Sequence, residues 1–124
     1  MLYMSTLPNQ NVNPIPRLIW PGLNGTTYEF EHFAIGRVTF NEVGGVYIFC
    51  TQGADGRWYA TYVGETDNFR RRLSDELASH HQWDSITRAG ATHICAMVVR
   101  GGNAERLRIE TDLRHSLNPP CNRQ

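Results

Sequence analysis

Between Gly44 and Gly64 the chain has little choice but to fold back on itself. Gly44-Gly45 opens onto Val46-Tyr47-Ile48-Phe49-Cys50, an apolar run rich in strand formers. Gly53-Ala54-Asp55-Gly56 is turn chemistry, and Trp58 to Gly64 reads as the return strand. Two such runs joined by a glycine-bounded turn predict an antiparallel hairpin. The remaining elements must be arranged around it.

Upstream, Tyr28 to Phe33 alternates aromatic and polar residues, the pattern of a half-buried strand, and Arg37 to Phe40 predicts a second strand after it. Leu18-Ile19-Trp20 is a short apolar run closed by Pro21-Gly22, and residues 1–16, rich in Asn and Pro, predict an irregular arm. Downstream, Phe69, Leu73 and Leu77 recur at helical spacing behind a cap at Thr66 or Asp67. Trp83 and Ile86 suggest a short helix ended near Ala89-Gly90, and Ala91 to Val99 another, buried strand. Asn103 is positioned to cap a last helix through about Leu117, stopped by Pro119-Pro120. The expected fold is α+β: a small, mostly antiparallel central sheet flanked by helices, with an N-terminal β-hairpin extension. The expected divisions are an arm over 1–16, the strand and hairpin extension over 17–43, and the denser body over 44–122.

A chain of 124 residues supports one domain with a real core. Its 40% hydrophobic and 19% charged residues exclude a disordered chain. All twelve cations are Arg, so chemistry that needs a lysine amine is excluded. The formal net charge of zero excludes a polybasic mode of nucleic-acid binding and leaves only a local cationic patch. Cys50, Cys95 and Cys121 are an odd, widely spaced set without zinc-site spacing, expected to be reduced and buried. No apolar run approaches the roughly 20 residues that span a bilayer. The N-terminal residues also lack the basic start and apolar run of a signal peptide, so the expectation is a cytoplasmic protein with no membrane association.

Several residues stand out from this plain core. On the last helix Leu107, Leu113 and Leu117 are expected to share one face, with Glu110 three residues from both Leu107 and Leu113. A carboxylate in an apolar stripe must be paired, hydrogen-bonded or metal-bound; a structural salt bridge, or a stripe rotated so that Glu110 sits at its rim, is the plain alternative. In Arg70-Arg71-Arg72 the side chains diverge by about 100° per residue. Arg72, beside Phe69 and Leu73, is the one that leans toward the core, where a guanidinium can grip a phosphate; the plain alternative is a solvated basic turn. Tyr47 and Tyr62 lie on the two hairpin strands and are either core aromatics with one wet end or site residues. His80-His81 makes no metal site by itself and offers a phosphate or leaving-group contact instead.

Together these residues resemble the GIY-YIG endonuclease family. Gly45-Val46-Tyr47 stands for the first motif and Tyr62-Val63-Gly64 for the second, with fourteen residues between the tyrosines. Arg72, eight after Gly64, takes the place of the family's helical arginine; Glu110 matches the metal-binding glutamate; Asn122, twelve after Glu110, matches the terminal asparagine. The resemblance covers 79 residues, 44 to 122, and the HHQW, GATHI and NPPCN segments look like a small bacterial branch of stand-alone domains.

The resemblance implies hydrolysis of DNA phosphodiesters with one divalent ion, Mg²⁺ or Mn²⁺, held by Glu110. It further implies that Arg72 neutralises charge at phosphorus, that Tyr47 orients or deprotonates the water with Tyr62 beside it, and that Asn122 ties the chain end to the site. A phenol of ordinary pKa near 10 needs cationic neighbours to act as a base at neutral pH.

Two positions depart from the family's pattern. Glu65 follows the second motif where some members carry lysine, and Glu76 stands four after Arg72 where His or Tyr is frequent. A four-residue insertion in a helix would return His80 or His81 to nearly the same face. Glu65 then either joins the metal site or weakens phosphate binding.

No zinc finger or clear helix-turn-helix accompanies the motifs, so specificity is expected from a homodimer, from the N-terminal hairpin or from a partner protein. The rival reading is a non-catalytic module that holds a nucleic acid or protein in the same cleft. A small-molecule phosphohydrolase is a third reading, without the support of a phosphate-cradling G-x-x-x-x-G-K-[ST] loop.

Overall fold

The computed structural model describes residues 3–5 and 15–122. Seven strands are present among them: β1 (Tyr3–Ser5), β2 (Arg17–Pro21), β3 (Thr27–Ala34), β4 (Val38–Phe40), β5 (Gly45–Gln52), β6 (Trp58–Thr66) and β7 (His93–Val98). Two α-helices, α1 (Trp83–Arg88) and α2 (Asn103–Leu117), join a π-helical segment, Arg70–Asp75, and short 3₁₀ turns. The protein is a small α+β fold built on an antiparallel five-stranded sheet in the order β2-β3-β7-β5-β6.

The predicted hairpin is β5–β6, and β7 pairs on its other side. Strand β5 is therefore central, and its apolar run is covered on both faces. Val46, Ile48 and Cys50 pack into one core with Trp20, Phe30 and the α2 residues Ile109 and Leu113. Tyr47 and Phe49 pack into the other, with Phe33, Phe69, Leu73 and Ile86. A strand buried on both faces needs apolar residues without alternation, which is the composition of 46–50.

The stretch 17–43 contains an N-terminal antiparallel hairpin, β2–β3. Strand β3 pairs with β2 on one side and with β7 on the other, so both belong to the same sheet as the β5–β6 hairpin. The short strand after it, β4, pairs with β1 rather than with β3. Within the predicted irregular arm, Tyr3–Ser5 is thus a strand, and residues 6–14 lie outside the described residues.

Two helices also depart from expectation. Residues 70–75 wind with a wider turn, closed by the Glu76 amide on the Arg71 carbonyl at 2.9 Å. Neither Thr66 nor Asp67 caps the segment. The Asn68 side-chain oxygen Oδ1 accepts from the Arg71 amide at 3.0 Å, and the Phe69 amide is fixed to the Val43 carbonyl at 2.8 Å. At α2 the span matches the prediction, but Asn103 makes no capping bond. Its buried stripe is Ile109 and Leu113, with Leu107 42% exposed. Rotating the stripe onto Ile109 allows α2 to cover both Trp20 and Val63.

No helix among the described residues is long and apolar enough to cross a membrane.

Candidate functional site

The hairpin register decides which way the two tyrosines face. Tyr47 lies opposite Gly64. Tyr62, two residues before Gly64, therefore projects to the same face of the sheet as Tyr47. Their ring centroids are 6.1 Å apart, and the residues are 1% and 8% exposed. Gly64 makes this possible: a Cβ there would lie 2.5 Å from both Cζ and Oη of Tyr47. Gly45 serves a similar close approach, because its Cβ would meet the Met97 carbonyl and the Phe69 ring.

The π-helical segment and the turn after it bring up the next groups. Arg72 is half-buried and its guanidinium donates to Nδ1 of His81 at 2.9 Å. His81 Nε2 stands 3.5 Å from the Tyr62 hydroxyl. His80, 3% exposed, has Nε2 at 2.7 Å from the Tyr47 hydroxyl, and its Nδ1 accepts from the Gln82 amide at 3.1 Å. The two imidazoles stack with centroids 4.8 Å apart and planes 12° from parallel. The expected helical insertion is absent: the helix has ended before the histidines, and a 3₁₀ turn at Leu77–Ser79 delivers them.

Helix α2 places carboxylates and arginines alongside. Glu110 Oε1 accepts from Arg114 at 3.2 Å, and its side chain is 14% exposed. Glu65 Oε2 accepts from Arg106 at 2.9 Å. Arg106, Glu110 and Arg114 are four residues apart on one helix face. Both arginines escaped the sequence reading, although this i, i+4 ladder around an already suspect glutamate was visible in it. Glu76 stays exposed, 3.9 Å from Arg71. Asn122 faces the β6 backbone: its carbonyl oxygen accepts from the Val63 amide at 2.8 Å and its amide donates to the Val63 carbonyl at 2.9 Å.

The electrostatics follow from burial and from this mixture of charges. Burial, then Tyr62 and Glu110, push the Tyr47 phenol well above its ordinary range, while Arg72 opposes them. Burial and Glu110 likewise raise Tyr62. Burial, then the charges of Arg72 and His81, lower His80 to about 4. Glu110 is raised by burial and by Glu65, with Arg114 pulling the other way. Glu65 and Glu110 offer carboxylate oxygens, the donors a small divalent cation takes, but each already accepts from an arginine, at 2.9 and 3.2 Å.

Tyr47, Tyr62, Arg72, His80 and His81 are thus one connected group, and Glu110 acts electrostatically on both phenols. Glu65 and Asn122 stand at its margin, one on Arg106 and the other on β6. An open polar cleft adjoins, lined by Glu65, Asp67, Arg71, Arg72, Asn103 and Arg106. Comparison with known proteins adds no relative: no family model, no curated protein and no solved structure matches the chain.

Proposed function

We propose that the protein is a metal-dependent endonuclease of the GIY-YIG type, hydrolysing DNA phosphodiester bonds. The observation that carries this reading is the convergence of Tyr47, Tyr62, Arg72 and the His80-His81 pair, with Glu110 felt at both phenols. A buried hydrophobic core has no use for a guanidinium, two imidazoles and a carboxylate at one end of a strand pair, whereas phosphodiester hydrolysis needs cationic and hydrogen-bonding groups of this kind.

In this reading Arg72, already half-buried and preoriented on His81, binds the non-bridging phosphate oxygens and favours the charge that grows there. Tyr47 orients the attacking water through its hydroxyl oxygen, which is itself held by the Nε2–H of His80. Tyr62 and His81 flank the phosphate on the other side. A magnesium or manganese ion on Glu110 would supply Lewis-acid polarisation of the phosphate and bring the raised phenol back toward a useful range. Asn122 holds β6 in place. Affinity for DNA rests on the local arginines of the cleft, since the chain carries no net charge, and it falls with added salt.

A second reading, a non-catalytic module that holds a nucleic acid or protein in the same cleft, is favoured by one observation. Glu110 already has a cation, Arg114, at 3.2 Å.

Cleavage of supercoiled plasmid and branched DNA with Mg²⁺ or Mn²⁺, beside Glu110→Gln, decides between the readings. The nuclease predicts product that disappears in the variant while circular dichroism stays unchanged. Equal background in both proteins, across substrates and metals, rejects it. Salt-sensitive DNA binding in EDTA would then favour the module.

A further inference from the structure

On the opposite face of the sheet from Tyr47, three adjacent strands bring together His32, Cys50 and Cys95. His32 on β3 is the direct cross-strand partner of Cys95 on β7, and Cys50 on β5 lies two register positions along, opposite His93 and on the same face. Their ligand atoms all lie within 4.8 Å of one another, and the two sulfurs are 3.9 Å apart. Both cysteines are fully buried and free.

From this placement we infer a zinc(II) site in the sheet interior, held by the Cys50 and Cys95 thiolates and the His32 imidazole.

Four observations support it. Two sulfurs on one tetrahedral zinc, each bonded at about 2.3 Å, stand about 3.8 Å apart, close to the observed spacing. His32 Nε2 is buried without a hydrogen-bond partner, an expense that a metal bond removes. The Trp20 indole N–H donates to Cys95 Sγ at 3.5 Å, the kind of outer hydrogen bond that orients a ligating sulfur. Charge also balances: two thiolates neutralise a divalent cation, so the loaded site places no net charge in the core. The His93 ring, 4.8 Å from that of His32, is the nearest further imidazole.

In the metal-free chain the hydrogen bond with Cys95, and then burial, favour the protonated Cys50 thiol. Loading therefore exchanges one zinc(II) for the two thiol protons, which leave to solvent, and no electron is transferred. Drawing His32 in from 4.8 Å to the about 3.6 Å spacing of nitrogen and sulfur on zinc asks for a shift of about 1 Å.

The test uses the reduced, full-length chain titrated with cobalt(II). One equivalent should bind with a sulfur-to-cobalt charge-transfer band. Zinc(II) should displace it, with release of two protons. Cys50→Ala or Cys95→Ala should abolish the charge-transfer band, and Glu110→Gln should retain it, which separates this site from the carboxylate on α2. Because a core cysteine variant can fail to fold, X-ray absorption at the zinc edge of the unaltered, zinc-loaded chain gives an independent reading. Two sulfur scatterers support the site; only nitrogen and oxygen scatterers overturn it. Failure to take up stoichiometric metal, or a Cys50–Cys95 disulfide forming in place of uptake, overturns it as well.

Discussion

The Nε2 atom of His80 stands 2.7 Å from the Tyr47 phenol oxygen, while the Gln82 amide donates to the ring's other nitrogen at 3.1 Å. A neutral imidazole with Nδ1 accepting carries its proton on Nε2, so His80 donates and Tyr47 accepts. The neighbouring pair repeats the arrangement. Arg72, which only donates, occupies Nδ1 of His81 and turns the protonated Nε2 toward Tyr62, though at 3.5 Å. Each tyrosine therefore has an imidazole N–H directed at its oxygen, and each histidine is fixed from behind by a group that cannot exchange roles.

This pairing sets a pH dependence of stability. The His80 folded-state pKa, about 4, is below its ordinary value of 6.5, so the unfolded chain binds the extra proton first. The associated stability is complete above pH 6.5 and is lost as pH falls toward 4, at most about 3 kcal/mol. Burial lowers His32 and His93 too, adding loss of the same sign. Urea unfolding between pH 7 and 4 should show the decline, and His80→Gln should have the shallower slope. Parallel curves would reject the assignment to His80.

Gly64→Ala tests the ring that crosses the hairpin. Its methyl group would sit 2.5 Å from Tyr47 Oη and Cζ, and neither the central strand β5 nor the ring has room to retreat. The expected cost is about 1–3 kcal/mol of overpacking. If the proposed nuclease reading holds, displacement of Tyr47 should also remove cleavage, and a variant as stable as the parent would contradict the geometry.

Arg106→Met would leave the Glu65 carboxylate, 20% exposed, without its partner at 2.9 Å. Unpairing a largely buried charge costs about 3 kcal/mol, whereas removing both charges costs much less. A double-mutant cycle with Glu65→Gln, read by chemical denaturation, should therefore give a double variant more stable than Arg106→Met alone. Simple additivity would mean that the pair is no more than two solvated neighbours.

Asn122→Ala removes both bonds to Val63, at 2.8 and 2.9 Å, on the edge strand that carries Tyr62. The expected loss is about 1–3 kcal/mol. Hydrogen exchange should accelerate at the Val63 amide before it does so in β5, since among the described residues β6 has no neighbouring strand on its outer side. Unchanged protection at Val63 would show that the asparagine is dispensable to the strand.

The sequence by itself determined the elements whose signals are local. The β5–β6 hairpin follows from two strand-forming runs and a glycine turn, α1 from Trp83 and Ile86, and the span of α2 from Asn103 to the prolines. Short-range sterics and side-chain pattern fix such features, and neither depends on the rest of the chain. Tertiary structure decided what depends on partners distant in sequence. Strand β3 keeps its sequence neighbour β2 on one side and takes β7, about sixty residues away, on the other. The apolar stripe of α2 turned from Leu107 to Ile109 because the helix must cover Trp20 and Val63 together. The same holds for the candidate site: Tyr47, Arg72 and Glu110 could be singled out along the chain. Only packing could give His80 its place on Tyr47, Glu65 its Arg106, and His32 two cysteines from other strands. Spacing along one strand or helix says which way a side chain points, and only the meeting of separate elements says what it touches.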